Sequence, residues 1–404
     1  MNFHTISESR LQKLQNYDFI SILLYIYLFL SASAIFSYLI VYFVYNPDPA
    51  ILETDYIAFW SAGQFALQGS PSAGYDIVPF QEMMAQGQGF PSSEIKYFLN
   101  PPYFLFILAP LAFFPLYTSL SIWSILTVSF YLRVIYKIIP SHKAMLAALA
   151  FPPLLITAST GQTGALTAAL LGGFLLCMNS KPVLAGILIG FLTFKPQLGV
   201  LIPLCLIAAG NWRVFISACV TTIILVLLSF IIFGWESWTG FFAMLAEAEQ
   251  NYLQQGRLGF KLQSLYSVLR YWGVQPFYCW IVHGLGIASI TLINVYVWRK
   301  PFSYELKAAC LCLGSLMVTP YIIFYEFPIL AVAAAFLWRL GEGTGFLPGE
   351  RTVIMLFPPF MFLFIFKHYP MALIGVLLLA LLLLRRIVKE IPQISKKQNI
   401  QNAL

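Results

Sequence analysis

The sequence predicts an all-α protein that crosses a membrane many times. Of its 404 residues, 60% are hydrophobic and only 10% are charged. A soluble domain has about 45–50% apolar and about 25% charged residues. The apolar residues form continuous runs, whereas a membrane β-barrel would alternate apolar and polar positions. We therefore expect residues 1–404 to form a single helical membrane domain.

Continuous apolar runs predict the positions of the spanning helices, since a crossing needs about 20 apolar residues. The first run, 19–45, has no small-residue cleavage site at its end, which favours a retained helix over a signal peptide. The later runs lie at 117–139, 142–157, 163–178, 182–194, 197–209, 213–233, 276–298, 306–319, 321–340, 352–367 and 370–388. Together they predict about twelve crossings.

A shorter apolar run, 103–116, contains Pro110 and Pro115. We expect it to be re-entrant or interfacial, because it is shorter than a full crossing and interrupted by proline. The helical core then extends over 103–233, and the C-terminal helices over 276–388.

The distribution of Lys and Arg supports this arrangement. With the N-terminus inside and 103–116 not crossing, 17 of the 23 cations lie inside, as the positive-inside rule requires. Both termini are then cytoplasmic, and 389–404 is a cytoplasmic tail. The long segments 46–102 and 234–275 face outward. We expect the first of these loops to carry short interfacial helices.

Composition argues against several classes of function. The net charge of +7 comes from cations at the ends of apolar segments, so it does not indicate nucleic-acid binding. The six cysteines lie inside apolar runs without disulfide or zinc spacing. The chain has no Walker-type loop, no Gly-x-Gly-x-x-Gly run and no Asp-x-Asp pair. We therefore expect no cofactor and no divalent metal, and a donor that arrives in the membrane rather than as a nucleotide.

Two carboxylates, Glu53 and Asp55, follow the first apolar run in the stretch ETDYIAFW. A carboxylate at a helix end that faces a partly dehydrated cavity can act as a general base. The alternative is a solvated helix cap. Only one of the two is expected to face a site, because residues two apart on a helix point in different directions.

Lys195 lies between apolar helices in FLTFKPQLGV, at the predicted outer interface. An ammonium is a good point charge for a phosphate, and a snorkelling lysine is the alternative. Arg257, Lys261 and Arg270 in the second outer loop could form an anionic headgroup pocket together. Each of them alone is expected to be a solvated loop charge.

Three further polar residues lie near the outer ends of predicted helices. Glu326 lies in TPYIIFYEFPIL, and an intramembrane acid indicates function unless the span begins after it. It could pair with an outer cation. Gln162 and Gln197 lie in turns, where they can bind a hydroxyl-rich ligand or cap a helix.

Several stretches resemble glycosyltransferase family 87. The segment ETDYIAFWSAGQFALQGSPSAGYD resembles the first outer loop of that family. The resemblance continues through YFLNPPYFLFILAPLAFFP, GQTGALTAALL, AGILIGFLTFKPQLGVLIPL and TPYIIFYE, in the family's order. It covers about residues 52 to 330. In the last stretch the family usually has Tyr-Asp, whereas this chain has Tyr325-Glu326.

The resemblance implies a GT-C type membrane glycosyltransferase that uses a polyprenyl-phosphate sugar and needs no nucleotide. It assigns the catalytic base to Asp55 and the lysine of the Lys-Pro-Gln turn to Lys195. Lys195, Arg257, Lys261 and Arg270 are expected to bind the donor phosphate. The residues expected to bind sugar or acceptor are Tyr56, Tyr75, Asp76, Gln162, Gln197 and Glu326.

The expected reaction is inverting transfer of a hexose, mannose above others, to a hydroxyl of a lipid-linked or cell-surface glycan. The expected location is a bacterial-type inner membrane, with the site facing the periplasm and the bilayer as a partner. A transporter or lipid flippase is the main alternative, in which Lys195 and Glu326 line a pathway. The absence of an internal sequence repeat argues against it. A structural or assembly protein of a surface-polysaccharide system is the third reading.

Overall fold

Helices make up most of the chain wherever its structure is described. A computed structural model describes residues 54–92, 95–251, 261–361 and 370–403. Within these ranges there is no β-strand, only an isolated antiparallel bridge between Leu262 and Ile323. The predicted first helix, 19–45, together with Glu53 and Arg257, lies outside the described residues.

The described α-helices lie along the chain in the following order. Their bounds are Tyr56–Leu67, Ile77–Gln88, Leu105–Ala112, Leu116–Ile138, His142–Leu149, Pro152–Thr160, Gly164–Cys177, Pro182–Leu192, Pro196–Gly199, Leu201–Ala208, Trp212–Glu249, Leu265–Tyr271, Pro276–Arg299, Tyr304–Met317, Pro328–Thr344, Glu350–Phe360 and Met371–Ala403. Short 3-10 helices occur at Pro71–Tyr75, Pro102–Phe104 and Phe324–Glu326.

The prediction of an all-α protein with membrane-capable helices is confirmed, but the count of about twelve crossings is not. Four described helices are long and apolar enough to cross a membrane: Leu116–Ile138, Trp212–Glu249, Pro276–Arg299 and the stretch Phe324–Thr344. The pair His142–Leu149 and Pro152–Thr160 adds a fifth if it is one span bent by 61°. Proline cannot continue the hydrogen-bonding pattern of the preceding helix, so Pro152 and Pro153 account for the bend.

The core is built around the helix Gly164–Cys177, in which nearly every residue is buried. It packs against Leu116–Ile138, Pro182–Leu192 and Pro328–Thr344. A Cβ atom added at Gly172 would lie 2.6 Å from a methyl group of Val134. Lipid tails are as apolar as leucine, so helices in a membrane associate through such close packing of small residues rather than through the hydrophobic effect.

Two helices of 12 residues each, Tyr56–Leu67 and Ile77–Gln88, lie in the predicted first outer loop. The helix Leu105–Ala112 packs against the first of them so closely that a Cβ at Gly63 would lie 2.7 Å from the Leu108 carbonyl oxygen. Eight residues of α-helix cover only about 12 Å, against about 30 Å of hydrocarbon. This helix is therefore too short to cross by itself.

The predicted second outer loop, 234–275, contains a helix that the sequence analysis did not foresee. The helix beginning at Trp212 is interrupted at Gly234, which has φ 80° and ψ 165°, and then continues to Glu249. This conformation is essentially restricted to glycine. The helical part after Gly234 packs against the 3-10 helix Pro71–Tyr75, where a Cβ at Gly240 would lie 2.9 Å from the Tyr75 Cβ.

The last helix is longer than predicted. Met371–Ala403 includes both the predicted span 370–388 and most of the predicted tail 389–404. The tail continues the helix through Pro392 rather than ending it.

Candidate active site

Asp55 lies at the start of the helix Tyr56–Leu67, where its carboxylate accepts hydrogen bonds from two side chains. Lys96 Nζ donates to Oδ1 and Gln162 Nε2 donates to Oδ2, each at 3.2 Å. We call these three residues the Asp55 cluster. The Asp55 side chain is 40% exposed, whereas that of Lys96 is 16% exposed. A carboxylate has about four lone-pair positions, so the exposed side of Asp55 can still accept a proton.

The helix-cap alternative for Asp55 is not what the structure shows. Asp55 occupies the N-cap position, but its side chain makes no capping hydrogen bond. Thr54 Oγ1 instead accepts from the Tyr56 backbone N–H at 3.2 Å and donates to the Thr160 carbonyl at 2.9 Å. Thr54 thus satisfies a backbone N–H at the start of the helix and links this helix end to the turn after Thr160. The positive end of the helix dipole also favours a negative charge on Asp55.

Gly161 allows the turn that carries Gln162 to approach Asp55. Its φ of 72° is a left-handed conformation that glycine adopts without strain. A Cβ at this position would lie 2.5 Å from the Tyr56 Cβ and 2.6 Å from a Leu120 methyl group. Any larger residue at position 161 would push Gln162 away from the helix that carries Asp55.

Lys195 and Glu326 form an ion pair that is almost fully buried, with side-chain exposures of 11% and 8%. Thr167 Oγ1 lies 3.3 Å from the second Glu326 carboxylate oxygen and shares its single proton between this oxygen and the Thr163 carbonyl, at 2.9 Å. The Lys195 ammonium also lies 5.2 Å from the centre of the Tyr325 ring, within the range of a cation–π contact. We call Lys195, Glu326, Thr167 and Tyr325 the Lys195 cluster. Pairing of Glu326 with an outer cation was one option from the sequence, and the cation is Lys195.

One short stretch of chain, residues 160–167, contacts both clusters, and we call it the bridging segment. Gln162 reaches the Asp55 cluster, while Thr167 reaches Glu326. A Cβ at Gly164 would overlap the Tyr325 carbonyl oxygen, which also accepts a hydrogen bond from Thr157 at 2.9 Å. Thr163 and Thr167 are one helical turn apart, about 6 Å along the axis. The two clusters are therefore neighbours at one end of the helix Gly164–Cys177.

Tyr56 is buried beneath Asp55 rather than placed on the surface of the site. Its side chain has no exposed area, and its hydroxyl hydrogen-bonds with Ser119 at 2.8 Å. Burial raises the pKa of Tyr56 to about 12, although the hydrogen bond with Ser119 opposes the rise. The hydroxyl therefore stays protonated at neutral pH. Tyr56 packs under the helix start that carries Asp55, and sugar or acceptor binding by Tyr56 stays a prediction.

Tyr75 and Asp76 also have structural partners. The Tyr75 hydroxyl donates to the Asn100 carbonyl at 2.8 Å, and the residue is 5% exposed. Asp76 caps the helix Ile77–Gln88 by accepting from the Val78 N–H at 3.2 Å, and it is exposed. These contacts place neither side chain in the two clusters. Sugar or acceptor binding by Tyr75 and Asp76 stays a prediction.

The cations predicted to bind phosphate are not all gathered at Lys195. The Gln263 N–H donates to the Ile322 carbonyl at 2.8 Å, which brings the chain around Lys261 next to the strand-like residues before Glu326. Arg270 donates to the Val274 carbonyl at 3.0 Å, within its own turn. Gln197 is exposed at the start of the short helix Pro196–Gly199. Arg257 lies outside the described residues.

Sequence reasoning named neither Lys96 nor Thr167 as a site residue. Lys96 is the only Lys or Arg in 46–102, a segment with several acids, and that isolation was the available signal. Thr167 had a weaker signal as part of GQTGALTAALL. Among the described residues, no three His, Cys, Asp or Glu side chains cluster as metal ligands would. The expectation that no metal is needed stays a prediction.

Comparison with known proteins identifies the family. The family model for glycosyltransferase family 87 matches residues 98–320, more than half of the chain. The matched part includes Gln162, Thr167 and Lys195, begins after Asp55 and ends before Glu326. Searches of curated proteins and of solved structures returned no match. The match confirms the resemblance seen in the sequence: the chain belongs to glycosyltransferase family 87.

Proposed function

We propose that this glycosyltransferase moves a hexose, specifically mannose, from a polyprenyl phosphate to a hydroxyl of a lipid-linked or cell-surface glycan. Asp55 is the general base. The observation that carries the proposal is the partly exposed carboxylate of Asp55, held by Lys96 and Gln162, with buried Lys195 in the neighbouring cluster. A hydroxyl acceptor needs a base, and a lipid phosphate needs a cation.

Exposure distinguishes the two carboxylates of the site. Glu326 is buried and already accepts from Lys195 and Thr167. Asp55 is 40% exposed and has lone pairs left over. An acceptor hydroxyl can therefore reach Asp55 without breaking an existing ion pair. Lys96 and Gln162 act as positioning residues, since they hold the carboxylate rather than contact the substrate.

The proposed reaction is a single displacement at the anomeric carbon. The acceptor oxygen forms a bond to that carbon while its proton passes to Asp55. The bond from the same carbon to the phosphate oxygen breaks on the opposite face, so the configuration inverts. The leaving polyprenyl phosphate gains negative charge, which Lys195 stabilises as Glu326 yields part of its contact. The prenyl chain lies among the apolar helices, in the bilayer.

The membrane location is part of the proposal. We place the protein in a bacterial-type inner membrane, with both termini cytoplasmic and the two clusters on the periplasmic side. The excess of Lys and Arg in the segments predicted to be inside supports this orientation.

Purified full-length protein tests the proposal when incubated with a labelled polyprenyl-phosphate mannose and a glycolipid extract from cells that lack the protein. We expect label in the glycolipid fraction and release of polyprenyl phosphate. Asp55→Asn should lower the rate about 10²–10⁴-fold, the usual contribution of a general base. Glu82→Gln is the matched control, because Glu82 is an exposed acid of the same outer segment.

Each part of the proposal has its own contrary outcome. A turnover of Asp55→Asn equal to that of the wild type would show that Asp55 is not the general base. Faster transfer from polyprenyl-phosphate glucose than from the mannose donor would show that the transferred sugar is glucose and not mannose. A product with retained anomeric configuration, measured by NMR, would contradict the single displacement.

A further inference from the structure

A concave basic site lies at the other end of the bundle from the two clusters. Three connections meet there: the turn after Cys177, the turn before Trp212 and the turn after Arg299. They line an open cavity of about 400 Å³. Its polar lining comes from Asn179, Asn211, Arg299, Lys300, Tyr304 and Lys307. We call this the basic cavity.

The basic cavity is separated from the candidate active site by the length of a helix. The helix Gly164–Cys177 begins at the bridging segment and ends at the cavity, and its 14 residues span about 21 Å. The helix Tyr304–Met317 runs from the cavity back towards Glu326. A ligand in the basic cavity would therefore not touch Asp55 or Lys195.

The cations of this cavity have no carboxylate partner among the residues that the structure describes. Lys307 Nζ contacts only the Trp298 carbonyl, at 3.4 Å, and Lys300 is half-buried. The nearby acids are engaged elsewhere. Glu305 pairs with Arg339 at 3.4 Å, and Glu390 accepts from the Ser303 N–H at 2.9 Å and from its hydroxyl at 2.7 Å.

The shape and chemistry of the cavity indicate a binding site for a phosphate group rather than a set of cations that only orients the protein in the membrane. A cation that only sets orientation can extend into water, as exposed Lys181 and Arg213 do at this same end. Lys300 and Lys307 instead line a cavity that also offers two asparagine amides, while the Tyr304 hydroxyl already donates to the Leu175 carbonyl. Basic pockets between membrane helices are suited to anionic headgroups, because the charges attract the phosphate and the amide groups donate hydrogen bonds to it.

We propose that the basic cavity binds the phosphate of an anionic molecule, with Lys300 and Lys307 as its main contacts. The fitting source is the headgroup of an anionic phospholipid in the adjoining leaflet, since the cavity opens at a helix end. A free phosphate compound would offer the same chemistry. This site is independent of sugar transfer.

Full-length protein in lipid nanodiscs tests the proposal by native mass spectrometry. Phosphatidylglycerol is titrated against a phosphatidylcholine background, and inorganic phosphate is added in a separate arm. One double variant combines Lys300→Gln and Lys307→Gln. The control double variant combines Lys181→Gln and Arg213→Gln. Both doubles remove two charges from the same end, but only the first pair lines the cavity. If the loss of Lys307 prevents folding, a double variant of Arg299→Gln and Lys300→Gln replaces the cavity double.

We expect the cavity double to lower the affinity for phosphatidylglycerol about 30-fold and the control double to change it far less. Binding of inorganic phosphate that depends on the same two lysines, with no change in the affinity for phosphatidylglycerol, would support the site and identify its source as a free phosphate compound. An equal loss from both doubles would show a diffuse basic surface and overturn the proposal. Unchanged affinity for both compounds in every variant would overturn it as well. Neither result depends on whether mannose is transferred.

Discussion

Lys195 and Glu326 are held in the interior by each other, so their charges are expected to be strongly coupled. Removal of one member of a buried ion pair leaves an uncompensated charge and costs about 3–5 kcal/mol. We predict that Lys195→Met and Glu326→Gln each lower the free energy of unfolding by an amount of this order. The double variant should lose less than the sum of the two. Denaturation in mixed micelles measures all three values.

The pair Arg339 and Glu305 is the control for that cycle. Its atoms are 3.4 Å apart, but the two side chains are 48% and 24% exposed. An exposed pair contributes about 0–1 kcal/mol, so Arg339→Met should change stability little. Additive losses for Lys195 and Glu326 would show that the two residues are not coupled. Glu326→Asp should keep part of the coupling, because the charge stays while the side chain is one methylene shorter.

At the residue scale, the sequence reveals which side chains are unusual but not which of them meet. Lys96 is 41 positions from Asp55, and Lys195 is 131 positions from Glu326. No periodicity relates residues that far apart. Asp55 and Lys195 are unusual by their positions at helix ends, and their roles stay predictions, whereas their partners required the packing of the bundle.

At the element scale, the bridging segment joins the two clusters through a very close approach at Gly164. A methyl group there would overlap the Tyr325 carbonyl oxygen. We predict that Gly164→Ala displaces the 3-10 helix Phe324–Glu326, separates Glu326 from Thr167 and lowers the rate of sugar transfer at least about tenfold, as small displacements of a site commonly do. Steady-state kinetics of the purified variant measures the effect.

Gly284→Ala is the matched control. Gly284 lies in the long helix Pro276–Arg299, and a Cβ at this position meets nothing within 4 Å. Alanine has the higher helix propensity, so this variant should be at least as stable as the parent. A Gly164→Ala protein with normal kinetics would show that the contact with Tyr325 is not needed for the site.

Apolar runs predicted helices well where polar residues or proline ended them. The run 276–298 became Pro276–Arg299, and 163–178 became Gly164–Cys177. The helical stretch after Gly234 was not predicted, because it has a mixed aromatic and acidic composition and packs on the 3-10 helix Pro71–Tyr75. Its helicity depends on tertiary contacts that local composition does not reveal.

At the scale of the whole molecule, the site and the basic cavity should face opposite sides of the membrane. We predict that a membrane-impermeant maleimide labels Asp76→Cys from outside intact cells. It should label Lys181→Cys only after permeabilisation. Both positions are exposed. The background carries Cys177→Ala and Cys219→Ala, because these two cysteines are half-buried and exposed while the other four are buried.

Labelling of both positions from the same side would contradict the orientation. Labelling of Lys181→Cys alone from outside would invert it, and the two clusters would then face the cytoplasm. A protein with only Cys177→Ala and Cys219→Ala gives the background signal.

In the two clusters, each described cation is paired with a carboxylate. This pairing affects which anionic lipids can bind. Lys96 faces Asp55 and Lys195 faces Glu326, so the four charges cancel. Two pairs without net charge exert little long-range attraction on anions, and the abundant phospholipids that diffuse past them carry the same phosphate as the proposed donor. Such a lipid would have to break an ion pair, and it has no sugar whose contacts could compensate for that loss. We therefore expect common membrane lipids to compete poorly for the proposed site, so that the sugar and the prenyl chain would decide which donor binds.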